Sequence, residues 1–338
     1  MRSLHFLKPS AFEWRDVPAP RLAADTDAIV RPIAVARCDL DLYIATGVVP
    51  FAGPFAFGHE AVAEVVEAGD AAGVAPGQRV VVPFQLSCGR CDNCRRGLTG
   101  TCDAYPWLTA YGLGRPGRPD RGGALSDLMH VPFADHMLVP LPKGLDPVAA
   151  ASAADNIPDG WRAVAPQLAA RPGASVLVIG GLAQSVGLYA AGAAVALGAG
   201  RVLYLDVDAG RRARAVELGA DAAPLADRDP VEQFEIVCEA AGSPAALAFA
   251  VRSTARNGSL TSVAIHLGAT TPVPLTEAYY KGLRFETSRA DARAHLPAVL
   301  DCCAQGRLRP DLVRHRTLRF DDAADAMTDP GPKLVFVP

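Results

Sequence analysis

The sequence has no apolar run of the ~18–20 residues that a membrane-spanning helix needs, so a helical membrane protein is not expected. A strong charge of one sign is missing too. The 33 Lys and Arg against 36 Asp and Glu leave a net charge of −3, which gives no reason to expect a nucleic acid or an anionic membrane as partner. Residues 1–9 carry neither a long apolar stretch nor a small-residue cleavage site. A secretory signal is therefore not expected, and the chain reads as cytoplasmic with reduced thiols. That setting excludes disulfides as the main use of the eight cysteines, four of which crowd between Cys88 and Cys102. What is present in quantity is apolar residue: half of the 338 positions are hydrophobic, enough for a sizeable core and about two domains.

The stretch from Val176 to Asp206 organises the rest. Val176-Leu177-Val178-Ile179 is the short apolar run of a strand buried on both faces. Gly180 and Gly181 follow, then Gly187 inside an Ala- and Leu-rich run without proline that suits a helix, and then a second strand closed by Asp206. Strand, glycine turn, helix, strand and acid form the dinucleotide-binding unit. The glycines let backbone approach a pyrophosphate, and the helix N-terminus offers N–H groups and a positive dipole end. Asp206 lies 19 residues after Gly187, close to the roughly 20 expected for the acid that binds adenosine ribose hydroxyls. The glycine spacing from Gly180 to Gly187 is two residues longer than the usual G-x-G-x-x-G. Alternating strands and helices continue to about residue 288, which predicts a doubly wound parallel sheet.

The first half differs. Residues 28–36, 61–69 and 77–83 have strand character, and residues 123–132 and 136–142 also read as strands, with His130 and His136 as ordinary strand residues. Cys88-x2-Cys91-x2-Cys94-x7-Cys102 is the most specific motif in the chain. Short C-x2-C spacings let one loop wrap a tetrahedral zinc, and four thiolates leave no open position, so this site is structural. Cys38, His59 and Glu60 bring a thiolate, an imidazole and carboxylate chemistry that zinc accepts as a second set. Trp107, Tyr111 and the irregular segment to Gly123 either line a pocket or cover the metal lobe. Cys302 and Cys303, in a helical run, read as packing residues, and residues 333–337 as a strand returning to the first domain.

With these residues in hand, the chain resembles the zinc-dependent medium-chain alcohol dehydrogenases and reductases nearly end to end. Cys38 to Asp41 match the family's Cys-x-(Ser/Thr)-Asp motif except at Leu40, Gly58-His59-Glu60 match its Gly-His-Glu, and the four-cysteine lobe is matched in full. The resemblance implies an α/β protein with a β-rich, GroES-like catalytic domain and a Rossmann cofactor domain. The expected division is a catalytic domain over 1–155 with the metal lobe at 88–102, a cofactor domain over 156–294, and a return over 295–338. It makes Asp155 the third ligand of a catalytic zinc beside Cys38 and His59, with Glu60 either a spare ligand or a supporting neighbour. It also implies two zinc ions per chain, NAD as hydride carrier on Gly180, Gly181, Gly187, Asp206 and Arg211, an alcohol or carbonyl substrate, and a homodimer or homotetramer.

Asp206 favours NAD by repelling a 2′-phosphate, while Arg211 and Arg212 stand close enough in sequence to weaken that preference. Leu40 replaces the hydroxyl that relays the alcohol proton in relatives. Either a water or a neighbour such as Tyr43, Asp39 or Asp159 substitutes for it, or the reaction is a reduction of an activated C=C or C=N bond that needs no such relay. A non-catalytic nucleotide-binding sensor or structural protein is the remaining alternative.

Overall fold

A computed structural model describes residues 1–114, 120–225, 232–314 and 316–338. The chain divides into two units. The first takes residues 1–158, 291–305 and 314–338, and the second residues 159–290 and 306–313. These limits differ from the expected ones. Residues 291–294 group with the first unit, because the helix Ala292–Ala304 that they open belongs there, and 306–313 group with the second.

The first unit is built on a mixed sheet. Its strands run in the order Arg316–Arg319, Leu334–Val337, Ala28–Ala36, Glu60–Ala68, Arg79–Val82 and Val139–Pro140, with Met129–Val131 also paired to Ala28–Ala36. Pro32 cannot donate to a ladder, and the register with Glu60–Ala68 slips between Pro32 and Ala34. Beyond the slip, Ala36 lies opposite Glu60 and Val335 opposite Ala36. The ends of three strands distant in sequence therefore meet where the chain enters Cys38. A smaller sheet of Ala11–Asp16, Arg2–Lys8 and Phe55–Ala56 carries Phe6, Phe12 and Phe55, and with Phe57 just beyond it their rings pack with centroids 5.1 to 6.1 Å apart.

Two expected strands are corrected here. Over residues 123–132 only Met129–Val131 forms a strand, since the Ser126 hydroxyl donates to Gly123 O and Leu128 O and bends the chain. Residues 136–142 begin as a helical turn, Ala134–Met137, and only Val139–Pro140 is extended. Phe133, in the left-handed region at φ 49°, turns the chain so that Met137 is buried beneath Ser87. His136 thus sits on a helix and not in a strand.

The second unit is a sheet of β1 Ser175–Ile179, β2 Arg201–Asp206, β3 Asp221–Pro224, β4 Phe234–Glu239, β5 Thr254–Ser262 and β6 Arg284–Thr287. The spatial order is β3-β2-β1-β4-β5-β6 and every pairing is parallel. This is the doubly wound dinucleotide-binding order, with its switch point between β1 and β4. Helix Gln184–Ala196 is buried along most of its length, as its run of Ala, Gly and Leu requires. Ala209–Glu217 is capped by Asp208, whose carboxylate accepts the Arg211 N–H at 2.7 Å. Pro244–Ser253 is capped by Ser243 with Pro244 at its first position. No helix among the described residues is long and apolar enough to cross a membrane.

Candidate active site and metal centres

Cys38 follows the strand Ala28–Ala36 and precedes the helix Asp39–Ala45. Asp39 and Asp41 lie in that helix's first turn, where the dipole favours acids, and the Asp41 carboxylate accepts the Cys38 N–H at 2.9 Å. His59 follows Gly58, whose φ of +86° and approach to Leu125 leave no room for a side chain. Asp155 lies between the short helix Ala151–Ala154 and the helix Asn156–Arg162. The ligand atoms of Cys38, His59, Glu60 and Asp155 all fall within 4.8 Å of one another, and all four residues are buried.

The donors of this cluster are of types that a metal cation accepts. Cys38 Sγ is 3.2 Å from Asp155 Oδ2, and His59 Nε2 is 3.4 Å from the same oxygen. Neither ring nitrogen of His59 has a hydrogen-bond partner among the described residues, although Nδ1 faces Asp41 Oδ1 at 3.4 Å. A buried imidazole nitrogen, a thiol and a carboxylate converging without a hydrogen bond to satisfy the ring fit zinc, which takes N, S and O ligands and keeps a further position open in a catalytic site. Burial, then Asp155 and Glu60, push the Cys38 thiol well up. Burial works against a charged His59, but Asp41 and Asp155 outweigh it and bring the ring to about 9. Both groups thus hold protons that a cation has to displace, so metal affinity falls as pH falls.

Glu60 is placed by a residue that sequence reading missed. The Lys333 ammonium, fully buried, lies 3.1 Å from both Glu60 oxygens and donates to Arg37 O at 2.8 Å and to Asn156 Oδ1 at 2.7 Å. Burial pushes Glu60 up to about 8, with Lys333 opposing. Asn156 in turn donates to Asp155 Oδ2 at 3.0 Å and Cys38 Sγ at 3.3 Å. Asp41, Asn156 and Lys333 thus hold the candidate ligands in place. Leu40 is half-buried against the apolar core, and Asp159, one proposed substitute for a hydroxyl there, is bonded to Arg162 at 2.6 Å.

Cys88, Cys91, Cys94 and Cys102 converge within 4.8 Å. Cys91 and Cys102 sulfurs are 3.9 Å apart, far beyond the ~2.05 Å of a disulfide. Backbone N–H groups point at the sulfurs: Cys91 N meets Cys88 Sγ at 3.4 Å, Cys94 N meets Cys91 Sγ at 3.5 Å, and Cys88 N meets Cys102 Sγ at 3.3 Å. Burial works against ionisation of Cys91, yet N–H groups from Cys94 and Asp103 bring it down to about 7. Burial pushes Cys94 and Cys102 up instead, so an ion would displace their protons; four cysteines so placed have the donor chemistry of structural zinc. Trp107 is 67% exposed and lines a cavity of about 240 Å³ beside this lobe with Cys102 and Tyr105. Tyr111 instead is core, its hydroxyl donating to His130 O at 2.9 Å. The part of the irregular segment at 115–119 lies outside the described residues.

In the second unit the long glycine turn has a physical reason. Leu182 N and Ala183 N donate to Ala241 O and Ala240 O, so the two extra residues fold against the loop after β4. Gly181 packs on Ala241 so closely that a Cβ would fall 2.6 Å from its Cα, and Gly187 packs on Ala240. Ala183, at the helix N-cap, offers no side-chain oxygen to the first turn, where a phosphate binds in this fold.

Asp206 does not stand free at the end of β2. It is wholly buried and accepts four hydrogen bonds: Tyr204 Oη at 2.8 Å, Asp208 N at 2.8 Å, and Arg211 Nε and Nη2 at 2.7 Å each. Burial opposes its ionisation, but Arg211 and the other donors hold it below the usual carboxylate range. A carboxylate has about four acceptor sites, and here all are used.

Residues 24–143 match the alcohol dehydrogenase GroES-like domain, and residues 185–305 match the zinc-binding dehydrogenase domain. The chain is 32% identical over 297 residues to a medium chain reductase/dehydrogenase of Acremonium sp., covering 82% of this chain and 98% of that one. It belongs to the zinc-dependent medium-chain dehydrogenase/reductase family. An alcohol dehydrogenase from Thermus sp. ATN1 superposes with a TM-score of 0.90 at 32% identity, covering 100% of this chain and 99% of that one. A Sinorhizobium meliloti 1021 protein described as a zinc-binding dehydrogenase, bound to NADP, superposes with a TM-score of 0.82 at 25% identity, covering 100% and 99%. As a member of this family the chain is a zinc-dependent, NAD(P)-linked oxidoreductase with a GroES-like domain and a Rossmann-like domain.

Proposed function

We propose that the chain interconverts a small alcohol and its carbonyl compound, with Cys38, His59 and Asp155 as the catalytic zinc ligands and Cys88, Cys91, Cys94 and Cys102 as the structural set. The observation that carries this reading is the buried convergence of three unlike donors, with a His59 ring that has no hydrogen-bond partner among the described residues. Zinc bound there would supply the Lewis acidity that acidifies an alcohol or polarises a carbonyl, and the nicotinamide would carry the hydride. Asp41 orients His59, Asn156 holds Asp155 and Cys38, and Lys333 neutralises Glu60 beside them. Cys38 as thiolate and Asp155 as carboxylate would together balance the charge of a divalent cation. A nicotinamide absorbance assay over primary and secondary alcohols and aldehydes tests the reading. Turnover of at least one class that is abolished by chelation and restored by zinc is expected, and no turnover across the panel would overturn it.

Leu40 gives a first prediction. Its side chain can pass no proton, so simple primary alcohols should be oxidised slowly at neutral pH. Leu40→Ser should raise kcat for such an alcohol by roughly 10²-fold, the lower end of what general acid–base help contributes. Dissociation constants for NADH measured alongside should not move. A variant no faster than wild type would place the relay elsewhere.

The cofactor preference depends on Arg211. With Asp206 neutralised by a bidentate guanidinium, its repulsion of a 2′-phosphate is weakened, and Arg211 is itself a phosphate-binding group. Arg211→Ala unmasks the acid and removes the cation. Charge-assisted hydrogen bonds contribute ~1.5–3 kcal/mol, so the NAD-over-NADP ratio of kcat/KM should rise by roughly 10–100-fold. A ratio unchanged within threefold would show that Arg211 does not set the preference.

The outer edge of β6 supports the homodimer or homotetramer reading. Residues Arg284–Thr287 are exposed throughout, and Phe285, Tyr279 and Tyr280 add exposed apolar surface. An open strand edge of this kind is suited to pairing with a second copy. Eight free cysteines fit a reducing, cytoplasmic setting.

A further inference from the structure

Glu239 closes β4 and is wholly buried. Its Oε1 accepts Ala241 N at 2.9 Å and Gly242 N at 2.6 Å, and its Oε2 accepts the Ser262 hydroxyl at 2.7 Å and lies 3.3 Å from His266 Nε2. The carboxylate therefore fixes the histidine's tautomer. Nε2 carries the proton toward Glu239, and Nδ1 presents its lone pair. That Nδ1 is buried and has no hydrogen-bond partner among the described residues. An acceptor withdrawn from water without a donor is costly, and here it is held in that state by a charged residue and a hydroxyl.

The location gives the acceptor a purpose. Glu239 is in register with Ile179 of β1 and with Ser262 of β5, so the group sits at the carboxyl edge of the sheet beside the β1–β4 switch point. In this fold the dinucleotide lies across that edge, one mononucleotide on each half of the sheet. Asp206, at the end of β2, marks the adenosine half, which leaves β4 and β5 to the nicotinamide half.

We infer that His266, oriented by Glu239 and Ser262, binds the nicotinamide riboside half of the cofactor by accepting, at Nδ1, a hydrogen bond from a ribose hydroxyl or from the carboxamide N–H. The inference rests on the dinucleotide-binding reading of this unit and adds a specific contact to it. Ser262 keeps the carboxylate from rotating away when the ring takes up its ligand. Asn at this position places an amide oxygen near Nδ1, so it conserves the acceptor, whereas Leu removes it.

Fluorescence titrations of zinc-loaded wild type, His266→Leu and His266→Asn with NADH, ADP-ribose and AMP test this. His266→Leu should weaken NADH binding by roughly tenfold or more, the loss of one buried hydrogen bond. His266→Asn should recover part of it, and AMP should bind all three alike within twofold. ADP-ribose weakened along with NADH assigns the donor to the ribose, and ADP-ribose unchanged assigns it to the carboxamide. NADH binding to His266→Leu within twofold of wild type overturns the inference, as does AMP weakened as much as NADH. Wild type that binds no NADH would instead refute the dinucleotide reading itself, so the two failures are told apart.

Discussion

Asp155→Ala should lower kcat/KM for alcohol oxidation by roughly 10³-fold or more and should take one zinc per chain with it. The reason is local. Asp155 Oδ2 is the oxygen on which Cys38 Sγ and His59 Nε2 both converge, and Ala leaves a thiol and an imidazole with only Glu60, already paired with Lys333, beside them. Lewis-acid stabilisation of developing charge is worth several kcal/mol, and each ~1.36 kcal/mol is tenfold in rate. Folding should be largely retained, because Asp41, Asn156 and Lys333 still hold Cys38, His59 and Glu60 in place. The check is elemental analysis, a far-UV spectrum and steady-state kinetics on one preparation. An Asp155→Ala protein that keeps two zinc ions per chain and wild-type turnover would move the catalytic centre elsewhere.

Cys94→Ser should have the larger structural effect and remove the other zinc. Residues 88–102 contain only the four-residue helix Asp92–Arg95 and the short turn Thr99–Thr101, and their sulfurs pack chiefly on one another, with Tyr105 and Phe133 alongside. With so little apolar burial, metal binding supplies the lobe's folding energy, which in small zinc-folded peptides amounts to ~10–16 kcal/mol. A loss of even ~4 kcal/mol corresponds to a fall in Tm of roughly 8–16 °C for a domain of this size. The measurement is a thermal melt with metal content determined before and after. A Cys94→Ser protein with unchanged Tm and two bound zinc ions would show that the lobe does not depend on the metal.

The four-cysteine lobe was legible because its ligands are local: spacing alone says that one loop can wrap one ion. The parallel sheet was legible because β1, β2 and β4 are short apolar runs between helical ones. Lys333 was not legible. It opens the final strand expected over 333–337, and only the pairing of Val335 with Ala36 and of Ala36 with Glu60 brings its ammonium to a carboxylate 273 residues away. Asn156 was hidden for the same reason, 118 residues from the sulfur it meets. Asp206 was found as a residue, but its state was not. Whether it offers free oxygens depends on the side-chain geometry of Tyr204 and Arg211, which no spacing encodes. The apolar content of residues 136–142 suits a strand, but Phe133, in the left-handed region, starts a helical turn there.

The insertion of Leu334–Val337 between Arg316–Arg319 and Ala28–Ala36 has a consequence for biosynthesis. That strand lies inside its sheet, and the residue that opens it, Lys333, neutralises the Glu60 carboxylate at the heart of the metal cluster. On the ribosome, the second unit's six strands have all emerged before this segment is made. The first unit, though begun earlier, lacks until then the strand that fills its sheet and the ammonium that pairs with Glu60. Domains that emerge whole can fold as they are made; this one gains its last central strand, and the counter-charge of Glu60, only after the strands of its neighbour have been made.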